Sequence, residues 1–146
     1  MGLAARVEPS VEQFDIAPLR KMLIDGKWVE AASGKTFDTL DPASGKELAR
    51  VAEGDAEDVD RAARAARRAF DHGPWPHMAP AQRQKILLKL ADLIEAKGLE
   101  LAQLETLDNG KSLGESQNVV IPAAAATFRY YAGWVDRKST RLNSSH

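Results

Sequence analysis

The hydrophobic positions along this chain change their period once. From Met22 to Val51 they come in short runs with strand character, and from Val59 onward they recur at helical spacing. Met22-Leu23-Ile24, Asp25-Gly26 and Lys27-Trp28-Val29 read as a hairpin, because Asp-Gly supplies the positive φ angles of a two-residue type I′ turn. Past the Ala32–Lys35 loop, Thr36–Leu40 alternates as a strand. Asp41-Pro42-Ala43-Ser44-Gly45 is turn chemistry, and Glu47–Val51 returns. Two small hairpins therefore open the fold.

Helices follow. Asp55 is placed as an N-cap, with Asp58 at N3 adding negative charge to the positive end of the helix dipole. Behind them Val59, Ala62, Ala63, Ala66, Ala69 and Phe70 share one face, and Arg61, Arg64, Arg67 and Arg68 lie opposite as a solvated stripe. Pro80 opens a second helix with Ile86, Leu87, Leu90, Leu93 and Ile94 as its buried stripe and Gly98 as its C′ residue. A third helix runs from about Leu99 to Asp108 and stops at Asn109-Gly110. The fourth runs from about Leu113 to Trp134, with Val120, Ala124, Thr127, Tyr131 and Trp134 on one stripe. Pro122 should kink it or mark a late start. The pattern predicts an α+β chain of two hairpins and four helices. Residues 1–20 form an arm of no clear period, residues 21–135 the domain, and residues 136–146 a separate tail. That tail, DRKSTRLNSSH, matches codon for codon the translation of a common sequencing adaptor, and it is set aside as a scar.

Composition changes the picture mainly by exclusion. The 146 residues are 44% hydrophobic and 28% charged, with a net charge of −1. That is a globular balance with no electrostatic case for nucleic acid or an anionic membrane. No apolar run approaches the roughly 20 residues needed to span a bilayer, and the start lacks a signal-peptide core, so a cytoplasmic protein is expected. There is no cysteine, which excludes disulfides and thiolate chemistry within these residues. Gly34-Lys35-Thr36 and Gly110-Lys111-Ser112 imitate the end of a phosphate loop, but Val29 and Glu105 stand where its earlier glycine belongs, so both read as turns. His72 and His77 read as surface loop histidines.

The weightiest signal is an ordered series of short segments. Leu23–Val29, Asp41–Gly45, Val51–Asp60, Ala65–Phe70 and Gly73–Trp75 come first, followed by Leu90–Glu95, Leu104–Lys111 and Arg129–Trp134. In identity, order and spacing they resemble the amino-terminal region of the aldehyde dehydrogenase superfamily, in the branch of broad-specificity, betaine-aldehyde and phenylacetaldehyde enzymes. The resemblance implies the first part of an α/β cofactor-binding domain. It also implies a parent enzyme, a homodimer or homotetramer, that oxidises a small-molecule aldehyde to a carboxylic acid. There a cysteine thiolate attacks the carbonyl, hydride passes to NAD or NADP, and water releases the thioester.

The family's nucleophilic cysteine, general-base glutamate, oxyanion-binding asparagine and cofactor loop all match positions beyond Trp134. No catalytic or cofactor-binding residue is therefore assigned here, and this fragment is expected to be inactive and to bind no nucleotide. Two features do land in the chain. Thr39, the Leu40 carbonyl and Asp108 match the ligands of a structural Na+ or K+ ion, an oxygen set that suits a hard cation. Val119 and Ala123 match the substrate-entrance wall, where small side chains leave room for a bulky or aromatic aldehyde. Ser112 departs from the proline usual after that lysine. The alternative from another class is a standalone helical interaction module, which would have to bury its own apolar faces.

Overall fold

The computed structural model describes residues 19–135. Five short strands precede the helices. β1 (Leu19–Arg20), β5 (Glu47–Ala52) and β4 (Thr36–Leu40) form one sheet in the order β1-β5-β4, while β2 (Met22–Ile24) and β3 (Lys27–Val29) pair separately. Asp25 and Gly26 both take positive φ, 54° and 72°, so the expected two-residue turn closes β2 onto β3. The β4–β5 hairpin is antiparallel and its register shifts between Thr39 and Leu40. β1 pairs parallel with β5, so the last two residues assigned to the arm are part of the sheet. A two-residue strand has no period to read, which is why pattern alone left it out.

Three long helices, α1 (Ala56–His72), α2 (Pro80–Ala96) and α3 (Gly98–Asn109), come next. A short helical stretch α4 (Leu113–Glu115), a π-helical turn (Ser116–Val120) and α5 (Ile121–Ala132) complete the order. Pro122 has no N–H to donate to the preceding turn, and the widened turn falls directly before it. The kink anticipated at Pro122 is therefore this π-turn. Gly98 does not end α2 as a left-handed residue. Lys97 is the joint, and Gly98 starts α3. Gly110, at φ 79°, does end α3 in the left-handed conformation.

The core is made largely of alanine. Ala91, Ala102 and Ala125 are fully buried, and Leu48 and Leu107 are the large apolar residues with them. The stripes read from periodicity are mostly on the outside. Val59 and Phe70 on α1 are both 66% exposed, and Ile86, Leu90 and Leu93 on α2 are also exposed. α1 instead turns Asp58 and Ala65 inward, with Arg61 half-buried. α5 turns in Ile121, Ala124, Ala125, Phe128, Arg129 and Ala132, while Thr127, Tyr131 and Trp134 of the expected stripe are exposed. The periodicities were real, but most of the positions they mark are exposed, with Leu87, Ile94, Val120 and Ala124 half-buried. A standalone helical module was expected to bury its own apolar faces, and among the described residues most of these positions are exposed.

Candidate functional site

Two turns that are far apart in sequence meet at the end of β4. Asp41 is buried there. Its carboxylate accepts from the Ala43 amide at 2.9 Å and from the Ser44 hydroxyl, and its backbone bonds both to and from the returning strand side of the turn. The Ser44 hydroxyl bond, with the Ala43 amide second, holds the Asp41 carboxyl below the ordinary carboxylate value. This turn presses Pro42 against the end of α3 so closely that a Cβ on Gly110 would lie 2.9 Å from Pro42 Cγ. Only glycine fits there, on both space and backbone angle.

That contact sets Thr39 beside Asp108. Thr39 Oγ1 donates to Asp108 Oδ1 across 3.3 Å, linking residues 69 positions apart. The separation is longer than a full-strength hydroxyl–carboxylate bond. Leu40, whose carbonyl was matched to the same ion, is the next residue, at the register shift. Thr39 and Asp108 both line a cleft of about 490 Å³ between β5 and α3, with Leu48, Leu104 and Ile121 among its apolar walls. Glu105 lines it too, but Lys111 Nζ reaches Glu105 at 2.8 Å, and that bond holds the Lys111 amine above its ordinary value. Arg20 adds a positive charge to the same cleft. Among the described residues no group of three or more His, Asp or Glu side chains is placed to hold a metal.

Val119 and Ala123 do not join this cleft. Val119 sits in the π-turn, 59% exposed, and Ala123 lies exposed in the first turn of α5. They form a separate surface at the π-to-α junction.

Pattern reading missed the connections of Asp58, which makes the most side-chain hydrogen bonds of any carboxylate among the described residues. Asp58 is 2% exposed, and its carboxylate accepts from the Ala32 amide through both oxygens, from the Asp55 amide and from Arg61 Nη1 at 3.0 Å. It closes a capping box and ties α1 to the loop after β3. Its N3 position was legible, but the partner 26 residues upstream left no local signal. The four arginines of α1 are likewise not a free basic stripe. Arg61 pairs with Asp58, Arg64 with Asp60, Arg67 with Asp71 and Arg68 with Asp25. No described helix is long and apolar enough to cross a membrane.

The described residues do not fit a nucleotide cradle. The N-termini of α1 and α4 are already capped by the Asp55 and Ser112 side chains. No strand, glycine-rich turn and helix follow one another here as such a site requires.

Comparison with known proteins gives a consistent picture. The aldehyde dehydrogenase family profile matches residues 28–145. The match continues through the tail set apart at residues 136–146, which lies outside the described residues. A mitochondrial benzaldehyde dehydrogenase of Antirrhinum majus is 53% identical over 137 residues, covering 93% of this chain and 25% of that protein. Aldehyde dehydrogenase family 2 member B4, mitochondrial, of Arabidopsis thaliana is 56% identical over 117 residues, covering 80% and 22%. Among solved structures, the NAD+ complex of aldehyde dehydrogenase from Bacillus cereus superposes with a TM-score of 0.80 at 48% identity, covering 88% of this chain and 26% of that one. An apo indole-3-acetaldehyde dehydrogenase gives 0.82 at 40% identity, covering 87% and 29%. The chain spans about a quarter of the length of the curated relatives it matches.

Proposed function

The chain belongs to the aldehyde dehydrogenase family, and from that premise we propose that it is the opening segment of an enzyme oxidising a bulky or aromatic aldehyde to its acid. NAD bound elsewhere in such an enzyme would supply the hydride acceptor. The segment's own work is structural. The Thr39–Asp108 pair, with the Leu40 carbonyl, anchors a Na+ or K+ ion between β4 and α3, and Val119 and Ala123 present a small-residue wall to the incoming aldehyde. Two aldehyde-specific relatives, the benzaldehyde and indole-3-acetaldehyde enzymes, act on aromatic substrates by name, which supports that size class.

One observation carries the reading: a fold that superposes at TM-scores of 0.80 and 0.82 on family members, in a chain without a cysteine. Alone, the 146-residue chain should form no NADH from NAD+ with propanal or phenylacetaldehyde. Residues 19–135, exchanged for the matching quarter of the Bacillus cereus enzyme, should give an active chimera. Within it Ala123→Met should reduce kcat/KM for phenylacetaldehyde several-fold more than for propanal. A soluble chimera without aldehyde oxidation, or turnover by the isolated chain, would refute the proposal.

A further inference from the structure

α2 and α5 form the most extensive helix pair in the described chain, and their contact is built on small side chains. Ala91 of α2 and Ala125 and Ala132 of α5 are 0%, 0% and 1% exposed. Small side chains let two helices approach closely, and they offer fewer knobs and holes than large ones to fix how far one slides along the other. Arg129 sits on α5 between those two alanines. Its Nη2 donates to Asp92 Oδ1 at 2.7 Å and to Glu95 Oε2 at 2.7 Å, on the α2 turn that follows Ala91. Nη1 of the same guanidinium is buried and has no acceptor. The desolvation of that nitrogen is a cost, and an apolar side chain would avoid it.

From this we infer that Arg129 is a positioning residue: it fixes the axial register of α5 on α2. A charge at an interface built on small side chains discriminates among registers, because sliding by one turn, about 5.4 Å, would carry it away from at least one of two carboxylates that themselves lie about one turn apart. The consequence for chemistry rests on the reading given under Proposed function. Val119 and Ala123 lie one and a half to three turns before Arg129 along the same helical run, so the wall they form is set where the Arg129 clasp sets it.

The register is read in the chimera that carries residues 19–135 in place of the matching quarter of the Bacillus cereus enzyme, with every other cysteine replaced by serine; the segment itself contributes none. Spin labels on Lys89→Cys and Ala126→Cys, both exposed positions on the two helices, report their separation by pulsed electron paramagnetic resonance. The parent should give one narrow distance. Arg129→Met should broaden or displace it with helix content by circular dichroism retained, and Arg129→Lys should recover the parent peak in part. Asp92→Asn with Glu95→Gln provides the second route. These side chains are 69% and 55% exposed, so their loss should not unfold the chain, yet it should reproduce the Arg129→Met distribution. An unchanged narrow distance in the carboxamide pair would overturn the inference, whether or not Arg129→Met folds, because a residue that only adds stability would leave the geometry unmoved. The readout involves no aldehyde, so its failure is distinct from failure of the proposed oxidation.

Discussion

Replacing Asp58 with alanine should destabilise this chain more than any other single carboxylate substitution. The side chain is 2% exposed and serves three donors at once: the Ala32 amide, the Asp55 amide and Arg61. Loss of a helix-cap acceptor costs about 1 kcal/mol. Leaving the partly buried Ala32 amide without an acceptor costs about 1–3 kcal/mol, and the Arg61 pair, 40% exposed on the arginine side, adds well under 1 kcal/mol after solvent screening. The effects share one carboxylate and are not strictly additive, so about 3 kcal/mol is the expected loss. With a urea dependence near 2 kcal/mol per molar, the unfolding midpoint followed by circular dichroism should fall by about 1.5 M. Asp60→Ala removes only an exposed pair with Arg64 and should change stability by less than about 0.5 kcal/mol. If the Asp58 and Asp60 variants unfold at the same midpoint, the argument that Asp58 ties α1 to the β3–β4 loop is wrong.

Gly110→Ala should cost about 1–2 kcal/mol, since its φ of 79° and the 2.9 Å approach to Pro42 both resist a side chain; adding Pro42→Ala should restore only the part due to crowding. The Asp41 carboxyl is held below its ordinary value, so its folded state binds the proton less readily than the unfolded state. The stability it contributes is present above pH about 4 and is lost as pH falls through the depressed value. Ser44→Ala should bring the Asp41 titration, followed by NMR, back toward 3.8 and weaken that acid dependence. Asp108→Asn should abolish any stabilisation by Na+ or K+ seen in thermal melts against a choline control, while Glu105→Gln, already neutralised by Lys111, should leave it in place. Phe70→Gln should leave the isolated chain within about 0.5 kcal/mol of the parent, because the ring is 66% exposed, but should destabilise the Bacillus cereus chimera by about 1.5–3 kcal/mol through lost burial.

What the sequence makes legible follows from the range of each interaction. The Asp25-Gly26 hairpin, the Asp55 cap and the Gly110 stop rest on contacts within a few residues, and all three appear where the pattern places them. Helix existence was equally readable, because a repeat of 3.6 residues is a local property. Helix facing was not. Periodicity tells which positions share a face, but what covers that face depends on other elements. For α1 and α2 most of the apolar row is exposed, while charged Asp58 on α1 is buried and Arg129 on α5 reaches the carboxylates of α2. Arg129 did leave a trace, a charge spaced four and three residues from Ala125 and Ala132 on what became the packed face. Asp58 left only its N3 position.

The same distinction explains why Thr39 and Asp108 could be named together and the entrance wall could not be placed. Thr39 and Asp108 meet because Pro42 packs on Gly110, and both turns carry their own local signals, so a resemblance that preserved the turns also preserved the pair. The entrance wall has no such support within this segment. Val119 and Ala123 are exposed, and their position depends on a π-turn imposed by Pro122 and on a helix–helix contact made mostly of methyl groups. On the proposed reading, specificity then depends on the residues that place α5 as well as on the wall residues. A change at Arg129, Asp92 or Glu95 should alter the size preference of a chimera that still binds its cation normally.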